Sequence, residues 1–348
     1  MIKIQNIYYM LSYAFKVLKG QEYIKCATEE FENTADLMAA ILGKGIAIQI
    51  KRGLIREYIE VVEPLSSLRG KIDVTESIKK QTLIKQQLIC TYDEFFVNCY
   101  MNQIIKTTVE LLLRQDIAMV RKKELRNLML YFKDIKTLDI NRINWQLRFN
   151  RNNQNYQMLI NICWLIIKGL LQVDSQGKMK MQKFLDEQHM HRLYEKFILE
   201  YYRKEFPILK VAASQIAWNL DDEENYMLPV MRSDIMLSYG ERTLIIDAKY
   251  YSHTMQSQFG VKTLHSNNLY QIFTYVKNYD IDNTGNVSGM LLYAQTDEDT
   301  LPNNDYRMSG NKISVKTLDL NCDFSEISLQ LNQIAESHFE IRRGFSDG

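Results

Sequence analysis

The sequence predicts a mixed α/β protein with two domains. Its 348 residues exceed the length at which a single hydrophobic core usually stops growing, so two cores are expected. Apolar residues make up 46% of the chain and charged residues 24%, which is the ordinary balance of a soluble globular protein. The second half shows a helix, three antiparallel strands, a helix and a further strand. This order predicts helices packed around one mixed sheet.

The first half shows both helical and strand patterns. Apolar side chains recur at helical spacing within residues 1–20 and indicate an amphipathic helix packed on a core. Isoleucines alternate with other residues over 46–50, as in a strand, and Arg52-Gly53 could turn the chain into a second strand. The predicted elements after this turn are a strand at 55–62 and helices at 95–114 and 156–171.

The second half is more regular. A predicted helix ends before Pro207, which cannot continue it. The polar residues 174–178 mark a boundary between a domain at 1–175 and a domain at 176–348. The predicted helices of the second domain lie at 190–206, 267–278 and 325–342, and its strands lie at 208–218, 231–239, 243–250, 287–294 and 312–318.

Charge and cysteine usage exclude several classes of protein. The net charge is only +1, so nucleic-acid binding would require local patches, of which Lys79-Lys80 and residues 121–123 are candidates. The five cysteines contain no CxxC pair, which argues for reduced thiols in a cytoplasmic protein and against a disulfide framework or zinc site. The most apolar stretch, 158–173, is interrupted by polar residues and is too short to span a bilayer.

Charged residues stand inside an apolar strand in the stretch RSDIMLSYGERTLIIDAKYY, residues 232–251. Asp247 and Lys249 are two residues apart, so their side chains project from the same face of the strand. Asp234 lies on the preceding strand, and a short hairpin can place it beside Asp247. Buried charges are costly unless they are paired or bound to metal. We therefore interpret these three residues as a functional site.

The chemistry that these residues favour is phosphodiester hydrolysis. Two neighbouring carboxylates, Asp234 and Asp247, favour a bridging divalent cation, and Mg²⁺ binds to one or two carboxylates together with water and phosphate oxygens. The backbone carbonyl of Ala248 could add a ligand. Lys249 would then orient or deprotonate the attacking water, whose pKa the metal lowers.

The same residues resemble the PD-(D/E)xK nuclease superfamily, although Ser233 stands where the pattern has proline. The resemblance implies roles for Gln271 and Tyr275, which lie four residues apart on one face of the following helix and could contact phosphate or the active-site lysine. It also implies a further acidic metal ligand on the helix at 190–206. Glu195 and Glu200 both border its apolar face, so periodicity leaves the choice open.

An ordered series of fragments is similar to the McrC family, the nuclease subunits of modification-dependent McrBC restriction systems. The fragments are IQNIYYMLSYAF (4–15), RGL (52–54), LRGKIDVTESI (68–78), NQIIK (102–106), LYEKFI (193–198), DAKYY (247–251) and NLYQ (268–271). The resemblance implies that the chain cuts double-stranded DNA carrying 5-methylcytosine only when bound to an McrB-type AAA+ GTPase hexamer. It also implies that the N-terminal part binds that partner and stimulates its GTPase.

This chain is not expected to bind GTP itself. Gly43-Lys44-Gly45 is the nearest approach to a phosphate loop, and it lacks the spacing of a Walker A motif. The predicted function is therefore that of a Mg²⁺-dependent, partner-dependent endonuclease. Two alternatives remain: a degenerate adaptor that only regulates an AAA+ partner, and a self-sufficient repair nuclease of the same superfamily.

Overall fold

The computed structural model describes residues 2–15, 18, 23, 29, 31, 33–150, 153–170, 187–222, 226–251, 255–258, 261–295 and 301–341. Packing divides the chain into two compact units. We call residues 32–184 the central unit, and residues 1–31 together with 185–348 the terminal unit. The predicted mixed α/β class is confirmed. The predicted linker at 174–178 lies outside the described residues.

The division differs from the predicted one in the first 31 residues, which group with the C-terminal part of the chain. Helix α1 (Ile4–Ala14) explains this grouping. The Asn6 side chain donates hydrogen bonds of 2.8 Å to the carbonyls of Leu320 and Cys322. The Tyr13 hydroxyl donates to Glu205 at 2.7 Å. These contacts join α1 to elements that the sequence places more than 180 residues away.

The central unit combines helices with a small antiparallel sheet. Its helices are α2 (Thr34–Arg52), α3 (Val74–Lys79), α4 (Tyr100–Leu112), α5 (Met119–Met129) and α6 (Tyr156–Leu170), and its strands are β1 (Glu57–Leu65), β2 (Lys71–Asp73) and β3 (Leu88–Phe96). The strand order is β1-β3-β2. Helix α6 packs against α2 and α4, and α5 packs against α2, so the core of this unit is helical.

The predicted strand at 46–50 is wrong, because these residues belong to α2. The Asn33 side chain accepts a hydrogen bond from the Asp36 amide and begins the helix. Gly53, with φ +89°, ends it. The isoleucine alternation was therefore a local coincidence within a 19-residue helix, and the expected hairpin turn at Arg52-Gly53 is a helix C-terminus.

Two further predictions for the first half need correction at their bounds. The helix predicted at 95–114 begins only at Tyr100, because Phe95 and Phe96 pair with β1 as the end of β3. The strand predicted at 55–62 is present as β1, shifted toward the C-terminus by two to three residues. The helix predicted at 156–171 is confirmed as α6.

The terminal unit is built on one six-stranded mixed sheet with the order β12-β13-β11-β8-β7-β4. Strands β8, β11 and β13 are parallel to one another, and the other neighbours pair antiparallel. The helices are α1, α7 (Glu187–Glu205), α8 (Ser266–Tyr279) and α9 (Phe324–Phe339). The strands are β4 (Lys210–Ala212), β5 (Gln215–Ile216), β6 (Met231–Arg232), β7 (Ile235–Tyr239), β8 (Arg242–Lys249), β9 (Met255–Gln258), β10 (Val261–Leu264), β11 (Val287–Ala294), β12 (Asn304–Met308) and β13 (Asn311–Leu318).

The predicted order of elements in the second half is confirmed, with two strands interrupted. The strand predicted at 208–218 is divided into β4 and β5, and that at 231–239 is divided into β6 and β7 by Ser233 and Asp234. The β9–β10 hairpin and strand β12 were not predicted. Among the described helices, none combines the length and apolar character needed to cross a membrane.

Candidate active site

The β7–β8 hairpin brings the predicted carboxylates together. Ile235 at the start of β7 pairs with Ile246, so the next step of the antiparallel register sets Asp234 beside Asp247. Ser233 fixes this end of the strand, because its amide donates to the Ser214 carbonyl at 2.9 Å. Asp247 is 1% exposed, and its neighbours in β8 are buried.

The backbone of Ala248 also faces this corner. Its amide donates a hydrogen bond of 2.9 Å to Oδ2 of Asp234. In a β-strand, the N–H and C=O groups of one residue point toward the same neighbouring strand, because paired residues in an antiparallel sheet form both hydrogen bonds with each other. The carbonyl of Ala248 is therefore directed toward the side on which Asp234 lies.

Lys249 links the carboxylates to helix α8. Its Nζ donates to Oδ1 of Asp247 at 3.0 Å and to Oε1 of Gln271 at 3.2 Å. Nε2 of Gln271 in turn donates to the Tyr275 hydroxyl at 2.9 Å. The four side chains form one continuous hydrogen-bonded row, so the structure brings Gln271 and Tyr275 to the lysine as the sequence predicted. Their catalytic roles stay predictions.

The structure distinguishes the positions of the two helix glutamates. Glu195 acts electrostatically on Asp234 and raises the pKa of that carboxyl, and it also pairs with Nδ1 of His191 at 2.6 Å. Glu200 instead pairs with Arg203 at 2.6 Å, one turn further along α7. Of the two candidates, Glu195 is the one that lies near the carboxylate pair.

Burial dominates the electrostatics of the site. It raises the pKa of Asp234, and the neighbouring charge of Asp247 raises it further. Burial also raises the pKa of Asp247, and Lys249 offsets only part of this effect. For Lys249, burial lowers the pKa, but the attraction of Asp247 outweighs burial and the net shift is upward. The lysine is therefore held as an ammonium ion in a site that disfavours two adjacent carboxylate charges.

These residues fit a divalent cation. Oδ2 of Asp247 is buried and makes no directed hydrogen bond, although it lies 2.9 Å from Nζ of Lys249. Its neighbour in the structure is therefore the ammonium charge, and the oxygens of the adjacent Asp234 and Asp247 side chains are the type of ligand that hard divalent cations take. No group of three or more His, Cys, Asp or Glu side chains suited to a metal occurs within the part of the chain that the structure describes. Two carboxylates with a carbonyl and waters suit Mg²⁺, which rarely uses an all-protein cage.

Several polar residues beside the site were not predicted from the sequence. Tyr293 is next to Lys249 in the parallel β8–β11 register and is fully buried. Asn268 donates to the Tyr293 hydroxyl at 3.0 Å and accepts from Tyr251 at 3.3 Å. Asn268 lies three residues before Gln271, so the polar helical face was a usable signal. The sequence contained no such signal for Tyr293, because this residue lies within a continuous apolar strand.

Comparisons with known proteins agree on one family. A family model described as a McrBC 5-methylcytosine restriction system component matches residues 3–294. The type IV methyl-directed restriction enzyme EcoKMcrBC of Escherichia coli (strain K12) is 27% identical over 345 residues, covering 97% of this chain and 99% of the relative. A solved structure of Thermococcus gammatolerans McrB AAA+ hexamers with bound McrC is 19% identical. It has a TM-score of 0.54 and covers 95% of this chain and 76% of the solved chain, which shows a similar fold.

Proposed function

Because the chain belongs to the family of McrBC 5-methylcytosine restriction system components, we propose that it is the DNA-cleaving subunit of such a system. In this proposal it hydrolyses phosphodiester bonds in modified double-stranded DNA when it is bound to an McrB-type AAA+ GTPase. The observation that carries the proposal is the group formed by the buried Asp247 and Lys249 with the partly buried Asp234, on and beside the paired strands β7 and β8.

Each side chain of this group has a task in the proposed reaction. Asp234, Asp247 and the Ala248 carbonyl would hold Mg²⁺, and Glu195, whose charge acts on Asp234, would contribute through water. The cation would supply a Lewis acid at the scissile phosphate and a water of lowered pKa. Lys249 places a positive charge where negative charge develops on the phosphate oxygens. Gln271 and Tyr275 fix the position of Nζ through the hydrogen-bonded row.

The proposed partner contacts lie on the central unit. Eleven of the exposed large apolar residues that the structure describes fall within residues 58–96, on and around the three-stranded sheet. Tyr58 and Phe95, paired in register with ring centroids 3.8 Å apart, are 66% and 50% exposed. Exposed apolar surface of this extent marks an interaction site. We assign it to docking on the AAA+ GTPase, which would also bind the GTP and read the modified base.

Two alternatives remain distinguishable. A degenerate adaptor would be expected to lose at least one of Asp234, Asp247 and Lys249, and all three are present. A self-sufficient repair nuclease would leave the apolar residues 58–96 without a purpose. The discriminating observation is whether the chain cuts DNA alone, only with its partner, or under neither condition.

The experiment that tests the proposal compares the wild-type chain with Asp247→Asn in a complex with the AAA+ GTPase. Modified plasmid DNA, GTP and Mg²⁺ are supplied, and the cleavage rate is measured. The variant keeps the side-chain size but removes the charge that would hold the metal, so cleavage should fall at least about a hundredfold. Near-normal cleavage by the variant would refute the site, and efficient cleavage by the isolated chain would favour the repair-nuclease alternative.

A further inference from the structure

Positive charge is divided very unevenly between the two units. The central unit carries 24 Lys and Arg against 15 Asp and Glu, a net charge of +9. The terminal unit carries 19 against 27, a net charge of −8, and it contains the candidate active site. A chain that acts on DNA through an acidic unit needs cationic surface elsewhere to hold the phosphate backbone.

The excess is concentrated on and after helix α5. Residues 114–148 contain nine Lys and Arg against four Asp and Glu. We call Lys122, Lys123, Arg126, Lys133 and Lys136 the cationic strip. All but Lys122, which is half-buried, are exposed. Among the residues that the structure describes, no side chain forms an ion pair with any of the five, whereas the adjacent Arg121 pairs with Glu124 at 3.3 Å.

The backbone that carries the strip is held in place by the core. Leu125, Phe132 and Ile135 are buried beneath it. The Nζ of Lys106, on α4, donates to the carbonyls of Phe132 and Ile135 at 3.0 and 2.5 Å. These anchors fix the segment on the unit, so its cations would bind without first ordering a loop.

The strip has the spacing of a surface that follows a DNA strand. Lys123 and Arg126 lie three residues apart and are both exposed on α5, and Lys133 is exposed directly after the 3-10 turn (Leu130–Phe132) that follows the helix. At about 1.5–2 Å per residue, positions 123 to 133 span roughly 15–20 Å. A single strand of duplex DNA presents phosphates over this length at about 3.4 Å of helix axis per charge.

We propose that the cationic strip contacts the phosphate backbone of duplex DNA and holds the substrate of the terminal unit. The inference rests on the proposed nuclease function. The competing occupant, an acidic protein surface, would more often engage such cations in directed ion pairs. Several cations without ion-pair partners among the described residues, on a segment anchored by the core, suit a polyanion, because phosphate contacts position the protein without reading sequence.

The test measures binding of the full-length chain to a 30-base-pair duplex by fluorescence anisotropy across a salt series, without divalent cation so that no cutting occurs. The variant combines Lys123→Gln, Arg126→Gln and Lys133→Gln. Its matched control combines Lys51→Gln, Lys71→Gln and Lys85→Gln, three exposed lysines of the same unit with the same loss of charge. A second control, Lys123→Arg, Arg126→Lys and Lys133→Arg, keeps the charge of the strip.

The strip variant should bind at least about tenfold more weakly, and its salt slope should fall by about three. The lysine control and the charge-keeping variant should stay within about twofold of the wild type. Equal losses in the strip variant and the lysine control would overturn the proposal in favour of bulk charge. Unchanged DNA binding with lost GTPase stimulation would overturn it in favour of a protein partner. Neither result bears on the Asp247→Asn test, so the two proposals can fail separately.

Discussion

At the scale of single residues, Glu195 and Glu200 on α7 have different surroundings although they lie only five residues apart. Glu195 raises the pKa of Asp234, adding to the larger effect of burial, and it pairs with Nδ1 of His191 at 2.6 Å. Glu200 is occupied by Arg203 at 2.6 Å. The pairing with His191 fixes the orientation of the Glu195 carboxylate, as outer ligands of metal sites commonly do.

We therefore expect Glu195→Gln and Glu200→Gln to have different effects on metal affinity and on DNA cleavage. Glu195→Gln should lower Mn²⁺ affinity and partner-dependent cleavage by about tenfold to a hundredfold, because a carboxylate near the metal is lost. Glu200→Gln should change neither by more than about twofold. Isothermal titration with Mn²⁺ gives the affinity independently of turnover. Equal effects of the two substitutions would contradict the assignment.

The site residues show which part of the chemistry could be predicted from sequence. Asp234, Asp247 and Lys249 were predictable because strand alternation and a short hairpin determine which side chains meet. The choice of Glu195 over Glu200 was not, because both border the apolar stripe and only the direction of packing separates them. Asn268 and Tyr293 meet across elements whose contact no local pattern specifies.

At the scale of elements, helix α8 reaches the candidate active site because it lies close on strand β11. Gly289, in β11, allows this approach: an added Cβ would lie 2.7 Å from Ile272, 2.9 Å from Val276 and 2.9 Å from Ile313. The helix carries Gln271 and Tyr275 on the turns beside this contact. The position of the Lys249 side chain thus depends on a glycine in another element.

Gly289→Ala should therefore affect stability and activity together. Overpacking at the helix–sheet contact should lower the free energy of unfolding by about 1–3 kcal/mol and move Gln271 away from Lys249, which lowers cleavage. Gly43→Ala is the control, because its Cβ would meet only the ends of two flexible side chains, Leu125 at 3.3 Å and Leu128 at 3.9 Å. Urea denaturation and cleavage assays measure the two effects. A stable, fully active Gly289→Ala variant would refute this account of the packing.

Helices and strands were predictable where the apolar pattern was long and no other secondary structure fitted the same residues. The buried strand β11 was located at its observed bounds, and α6 within one residue. The isoleucines at 46–50 misled because a strand pattern over five residues competed with a helix whose cap, Asn33, lies more than ten residues away. Strand β3 was missed because Phe95 and Phe96 fit equally well at the start of the helix that follows.

At the scale of the whole molecule, the candidate tasks fall on different units. The hydrogen-bonded row of Asp247, Lys249, Gln271 and Tyr275 lies in the terminal unit. The exposed apolar sheet lies in the central unit, in a segment that also contains the family-like fragment at 68–78. Gly70 in that fragment has φ +68°, and a Cβ there would lie 2.3 Å from the Thr91 carbonyl, so the turn requires glycine. A defined surface without a reactive group is what a docking module should present.

This separation predicts two variants with opposite defects. Tyr58→Ser combined with Phe95→Ser removes an exposed aromatic pair from the proposed docking surface. GTPase stimulation should fall at least about tenfold, because buried aromatic anchors carry much of an interface's binding energy. Asp247→Asn should leave stimulation within about twofold while abolishing cleavage, since substitutions in different compact units that share no partners act independently. GTP turnover is measured while the AAA+ partner is titrated with each full-length variant.

The control for this experiment is Tyr226→Ser combined with Tyr279→Ser, which removes two exposed tyrosines from the terminal unit. Stimulation by this control should match that of the wild type, because the exposed aromatic residues of the terminal unit have no part in the proposed docking. If Tyr58→Ser with Phe95→Ser stimulates turnover as well as the wild type does, docking does not use the sheet of the central unit. If the tyrosine control loses stimulation instead, the partner binds the unit that contains the candidate active site, and the two tasks are not separated.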